Sequence, residues 1–268
     1  MGLLGDILAE KAAEVAALSR EPARTRALGD EPRDVFSALQ RPAGASLRLI
    51  AEIKFRSPSA GALSRALDAG ARARAYEHGG ASMVSVLTDR KWFDGSFDDL
   101  ARARAAIGIP VLCKDYVIDT AQIDRAWATG ADAVLLIVRC LRQDGLLRRL
   151  VEAARSRGIE PFVEVVDERE LELALVHGAR VVGVNARDLE TLEIDPRRAE
   201  RVLAKIPSGT VAVHLSGLKS GADAAAMAES RADAVLIGEA LMRRDDPLGL
   251  LAEFAEGAVG ATAKRTAR

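Results

Sequence analysis

Six polar side chains stand where short apolar runs of this sequence end, and their types suit proton transfer around an anion. Ile50-Ala51-Glu52-Ile53-Lys54 reads as a buried strand. Side chains alternate along a strand, so Glu52 and Lys54 share one face while Ala51 and Ile53 share the other. A carboxylate and an ammonium on the inward face of an apolar strand are costly to desolvate unless they meet partners. Further on, Pro110-Val111-Leu112-Cys113-Lys114 ends on Lys114, and Pro161-Phe162-Val163-Glu164-Val165 carries Glu164. Gly183-Val184-Asn185-Ala186-Arg187 places Asn185 and Arg187 on one side. One such pair alone would fit a structural ion pair. Acids, bases and an amide at corresponding ends of several strands form a constellation suited to general acid–base catalysis. Lys54, Lys114 and Arg187 outnumber Glu52 and Glu164, so the expected ligand is anionic.

A seat for the anion is expected where the last two apolar runs end, at Ser216-Gly217 and at Gly238-Glu239. Glycine lets the backbone approach a ligand closely, and loop N–H groups bind phosphate well. Trp92 and Phe93 follow the second run and are expected to cover an apolar or aromatic substrate. His214 is expected to pack among the helices, because parity sets it opposite Val213 and Leu215.

The elements that must position these groups repeat one rhythm. A short β-rich apolar run, a loop and an Ala/Arg/Leu-rich amphipathic segment recur, with the runs at 47–54, 83–88, 110–114, 133–137, 161–165, 181–185, 211–216 and 234–238. Gly80-Ala81, Gly130-Ala131 and Gly178-Ala179 each close a helix and lead into the next run. Eight βα units predict a (β/α)8 TIM barrel, an α/β fold whose catalytic groups sit at the C-terminal strand ends and whose phosphate seat follows strands 7 and 8. An open doubly wound sheet would be expected to carry a Gly-rich dinucleotide turn, and no G-x-G-x-x-G follows a strand here.

The chain is expected to be one domain over residues 1–268, with an N-terminal helical extension at 1–45, the barrel at 46–256 and a frayed tail at 257–268. The first helix is read at 3–18, with Leu4, Ile7, Leu8, Val15 and Leu18 as its apolar stripe and its Glu and Lys side chains opposite. A formal net charge of −1 gives no bulk attraction to nucleic acid or to an acidic membrane. No apolar run reaches the length of a membrane span, and the N-terminus lacks the basic region of a signal peptide. Cys113 and Cys140 have no ligand-like spacing and are expected as reduced buried thiols, with no metal site. A cytoplasmic protein is expected.

With these strings in order, the chain resembles indole-3-glycerol phosphate synthase of tryptophan biosynthesis. The resemblance runs through Ile50-Ala51-Glu52-Ile53-Lys54 with Ser57-Pro58-Ser59, and Ser85-Val86-Leu87-Thr88-Asp89 with Phe93 and Gly95-Ser96. It continues through Pro110-Val111-Leu112-Cys113-Lys114-Asp115, the Glu164 strand, Asn185 with Arg187-Asp188-Leu189, and Leu236-Ile237-Gly238-Glu239-Ala240-Leu241-Met242. It implies conversion of 1-(2-carboxyphenylamino)-1-deoxyribulose 5-phosphate to indole-3-glycerol phosphate, with no metal or organic cofactor and with other tryptophan-pathway enzymes as partners.

The resemblance also implies roles. Lys114 would be the general acid at the ketone oxygen, Glu164 the general base, and Lys54 the group steering the substrate carboxylate and an acid in dehydration, tuned by Glu52. Asn185 and Arg187 would orient the anthranilate part. Ser57 and the backbone at Ser216, Gly217, Gly238 and Glu239 would hold phosphate. Phe93, Tyr116, Leu135 or Leu136, Leu189 and Leu236 would wall the aromatic ring. The chain departs from the family at Leu215, where Glu is usual before Ser-Gly; Phe55 replaces a commonly basic residue, and Tyr116 stands where Phe is common. The change at Leu215 leaves open a related barrel acting on another aryl-amino sugar phosphate, or one that binds without turnover.

Overall fold

Eight parallel strands close into a barrel in the computed structural model, which describes residues 2–18, 25–27, 30–141, 143–191 and 193–259. The strands are β1 (Arg48–Ile53), β2 (Met83–Leu87), β3 (Val111–Lys114), β4 (Ala133–Ile137), β5 (Glu160–Val165), β6 (Val181–Val184), β7 (Val211–His214) and β8 (Ala234–Ile237). Each lies beside its sequence neighbour, and β1 closes the ring by pairing with β8, Ile50 opposite Leu236. Nearly every strand residue is buried, as expected where one face fills the barrel and the other meets helices.

The Gly-Ala lead-ins act as helix stops. Gly80, Gly130 and Gly178 take left-handed φ values of 88°, 101° and 80°. The following Ala81, Ala131 and Ala179 donate back to the carbonyls of Tyr76, Ala126 and Ala174, each at 3.0 Å. This is the Schellman closure, which turns the chain directly into the next strand. At the other ends of the helices, Asp and Ser side chains cap exposed N–H groups, Asp119 with Gln122 and Ser220 with Asp223 forming capping boxes.

The extension packs on the barrel at both ends. Its first helix, α1 (Leu3–Leu18), runs beside the mouth, and α2 (Val35–Leu39) buries Val35 and Leu39. Between them Arg33 donates to the carbonyls of Ile107 and Ile109, both at 2.6 Å, fastening the segment beneath the sheet. One feature of α1 differs from expectation: Lys11 is only 1% exposed, on the same face as Leu4 and Ile7 rather than opposite them. Leu4, Ile7 and Lys11 follow the three- and four-residue steps of a helical face, so the stripe includes a charge.

The loops after the strands hold structure that apolar patterning does not reveal. A small antiparallel hairpin pairs Arg56–Ser57 with Gly61–Ala62, and a short helix spans Arg90–Phe93. The last helix ends at Gly257, and from 260 onward the tail expected to fray lies outside the described residues. Among the described residues no helix is long and apolar enough to cross a membrane.

Candidate active site

The C-terminal strand ends open into a cavity of about 790 Å³, and every residue proposed from the sequence for catalysis or for holding phosphate lines it. Glu52, Lys54, Lys114, Glu164, Asn185 and Arg187 form its polar floor. Lys54 Nζ donates to Glu52 Oε1 at 2.7 Å. Lys114 Nζ sits between two carboxylates, 4.0 Å from Glu52 Oε2 and 3.9 Å from Glu164 Oε2. Asn185 Nδ2 donates to Glu164 Oε1 at 2.8 Å, and Asn185 Oδ1 accepts from Ser216 Oγ at 2.8 Å and from the Arg187 N–H at 3.0 Å. Polar groups from the ends of β1, β3, β5, β6 and β7 thus join in one chain of contacts.

Burial separates the two carboxylates by function. Desolvation works against the ionised form of Glu52, yet the ammonium groups of Lys54 and Lys114 prevail and hold its carboxyl below the usual carboxylate range. Glu164 is fully buried, and its Oε2 accepts no hydrogen bond from the described residues. A carboxylate oxygen without a donor, facing a cavity and an ammonium, is placed to take a proton from a ligand.

Gly238 serves this floor as well as the rim. A Cβ at that position would fall 2.4 Å from Glu52 Oε1 and 3.0 Å from Lys54 Nζ, so only glycine leaves room for the ion pair. Ser57, Ser216, Gly217, Gly238 and Glu239 gather along one side of the cavity. Sequence reasoning missed four neighbours there, Ser59, Lys219, Arg243 and Arg244. Arg243 donates to Glu239 Oε1 at 2.8 Å, a helical i,i+4 pairing visible in the spacing alone. It screens the Glu239 carboxylate.

The rest of the lining is largely apolar. Phe93 and Tyr116 face each other with ring centroids 6.4 Å apart, and Leu135, Leu189 and Leu236 complete the wall. Leu135, not Leu136, points inward, in step with Ala133 and Ile137. Trp92 is the correction: it does not line the cavity, because the short helix turns it away from its neighbour Phe93, and Lys91 Nζ lies 5.1 Å over its ring. Leu3, Leu4 and Ile7 of α1 also line the cavity, a contribution that a helical stripe cannot assign to any particular partner. Arg139, also missed, braces the loop after β6 by donating to Asp188 at 2.5 Å and Glu170 at 2.9 Å.

His214 lies outside the cavity lining, and desolvation lowers its pKa, as suits a packed imidazole. Burial pushes the Cys113 thiol up to about 12, too high for a thiolate nucleophile. Leu215 lines the cavity and packs inward over Gly183 beside Phe162, where a Cβ on residue 183 would meet Leu215 Cδ1 and Phe162 Cε1, each at 2.6 Å. Among the described residues no three His, Cys, Asp or Glu side chains converge as metal ligands would.

A closed (β/α)8 barrel with paired acids and bases beside a Ser- and Gly-lined rim and an aromatic slot belongs to the TIM-barrel class and carries the side chains of acid–base chemistry. The family model for indole-3-glycerol phosphate synthase matches residues 4–253, and the chain belongs to that family. It is 43% identical over 267 residues to the indole-3-glycerol phosphate synthase of Mycobacteroides abscessus, covering 100% of this chain and 96% of the relative. With the protein of that name from Mycolicibacterium vanbaalenii it shares 42% identity, over 99% and 97% of the two chains. The crystal structure of a 3-hexulose-6-phosphate synthase superposes with a TM-score of 0.63 at 18% identity, covering 79% of this chain and 99% of that one, a likeness of fold alone.

Proposed function

We propose that this barrel closes the indole ring of 1-(2-carboxyphenylamino)-1-deoxyribulose 5-phosphate, releasing carbon dioxide and water to give indole-3-glycerol phosphate. The reading is carried by Lys114, poised between Glu52 and Glu164 within 4.0 Å of each, with the open oxygen of Glu164 beside it. Attack of the carboxylate-bearing ring carbon on the ketone builds negative charge on oxygen, which the Lys114 ammonium relieves by donating a proton. Loss of the carboxylate as carbon dioxide restores the aromatic ring. Dehydration follows: Glu164 takes the proton, and an ammonium protonates the departing hydroxyl. Lys54, held by Glu52, steers the substrate carboxylate and serves as that second acid.

Binding is divided along the cavity. Ser57, Ser216 and the backbone of Gly217, Gly238 and Glu239 hold the phosphate, and Arg187 with Asn185 orients the anthranilate part. Phe93, Tyr116, Leu189 and Leu236 sandwich the ring. The site is built within one barrel with its extension, and the reading sets the protein in the cytoplasm beside the other enzymes of the tryptophan pathway. Turnover of the substrate to an indole product by the purified chain, with one carbon dioxide released per indole, tests the reading. Leu215 in the floor motivates a second reading, a different aryl-amino sugar phosphate as substrate. Under that reading an analogue is turned over and the expected substrate is not; Leu215→Glu would then restore the expected reaction.

A further inference from the structure

Lys11 is the buried cation for which acid–base chemistry at the strand ends has no use. Its Nζ lies 2.8 Å from Asp89 Oδ2, 2.8 Å from Asp115 Oδ1 and 3.0 Å from Glu14 Oε2. Asp89 and Asp115 are themselves buried, and they belong to the loops after β2 and β3. An ammonium out of water is tolerated only with such partners, and two buried ionised carboxylates are held together at low cost by a cation between them.

Each carboxylate has a second task. Asp89 Oδ1 accepts from the Trp92 N–H at 2.7 Å, capping the short helix that ends on Phe93. Asp115 follows Lys114 directly; its Oδ2 accepts from Thr88 Oγ1 at 2.6 Å and its Oδ1 from the Tyr116 N–H at 2.8 Å. The Thr88 N–H donates in turn to the Lys114 carbonyl at 3.1 Å. One ammonium from the extension therefore ties together the two loops that carry the proposed acid and both faces of the aromatic slot. Leu4 and Ile7 also bury α1 against the core, and those apolar contacts impose no such geometry on the loops.

We propose that Lys11 is a positioning residue for the reaction: through Asp115 it holds Lys114 and Tyr116, and through Asp89 it holds Phe93. The proposal rests on the roles given above to Lys114, Phe93 and Tyr116. A shift of an ångström in a reacting group costs about a hundredfold in rate, so loss of this tie is expected in kcat as well as in stability.

The test is steady-state turnover by the full chain as wild type, Lys11→Met, Lys11→Arg, Asp89→Asn and Lys114→Ala, with folding followed by circular dichroism. Expected for Lys11→Met is a folded barrel with kcat down about tenfold or more and KM up severalfold, and Lys11→Arg recovering much of both. Asp89→Asn keeps an oxygen for the Trp92 N–H and loses the charge, so it is expected to raise KM about threefold or more with kcat little changed. It decides the matter should Lys11→Met fail to fold. Unchanged kcat and KM in folded Lys11→Met, or an unchanged KM in Asp89→Asn, overturns the proposal while Lys114→Ala still lowers kcat by about a hundredfold or more. No product from the wild type would overturn the functional reading itself.

Discussion

Asn185 holds Glu164 from the adjacent strand end, its amide donating to Oε1 at 2.8 Å so that Oε2 is left toward Lys114 at 3.9 Å. The amide fixes which oxygen of the base faces the cavity, and Ser216 and the Arg187 N–H fix the amide in turn.

Asn185→Ala is therefore expected to lower kcat by about ten- to a hundredfold, since Glu164 loses its orienting donor at a site where acid–base catalysis contributes about 10²–10⁴. Rates measured at saturating substrate check this. A KM effect with kcat intact would show that the amide binds substrate and does not orient the base.

The Glu52 carboxyl, held below its usual 4.5 chiefly against desolvation by Lys54 and Lys114, links stability to pH. A lowered folded-state pKa contributes stability that is fully present above the unfolded value and is lost as pH falls through the folded value. Glu52→Gln is expected to lose about 3 kcal/mol near neutral pH, because two buried-side ammonium groups lose their counter-charge. The gap from wild type should narrow as pH falls below about 4.5. Urea midpoints of both proteins from about pH 7 to about pH 3 measure it; parallel curves throughout would exclude the linkage.

Gly183 is the residue that lets Phe162 and Leu215 fill the barrel, with each 2.6 Å from where a Cβ would stand. Gly183→Ala is expected to cost about 1–3 kcal/mol by overpacking. In a Leu215→Ala background the cost should shrink, because one of the two side chains that collide is gone while Phe162 remains. Thermal unfolding of the four proteins in that cycle checks the coupling, and strict additivity would contradict it.

Much of this was legible in the sequence, for definite reasons. Parallel strands buried on both faces read as unbroken apolar runs, so the runs at 133–137 and 181–185 stand out without alternation. Period-two parity then sends Glu52, Lys54 and Lys114 inward and His214 outward, as found. What stayed hidden depends on contacts between segments far apart in the chain. Periodicity gave α1 an apolar face but could not say that Leu3, Leu4 and Ile7 would meet the cavity, nor that Lys11 would join that face to reach Asp89 and Asp115. Trp92 and Phe93 are neighbours of equal apolar character; only the helix that Asp89 caps decides which one faces the slot. Arg243 was overlooked because it follows the last strand by several residues, although its spacing from Glu239 predicts their pairing.

The central claim is that Lys114 supplies the proton for ring closure, and turnover of 1-(2-carboxyphenylamino)-1-deoxyribulose 5-phosphate by wild type beside Lys114→Ala tests it most directly. Wild type should release indole-3-glycerol phosphate, and Lys114→Ala should retain substrate binding while kcat falls by about 10²–10⁴. A Lys114→Ala protein turning over within about threefold of wild type would contradict the account.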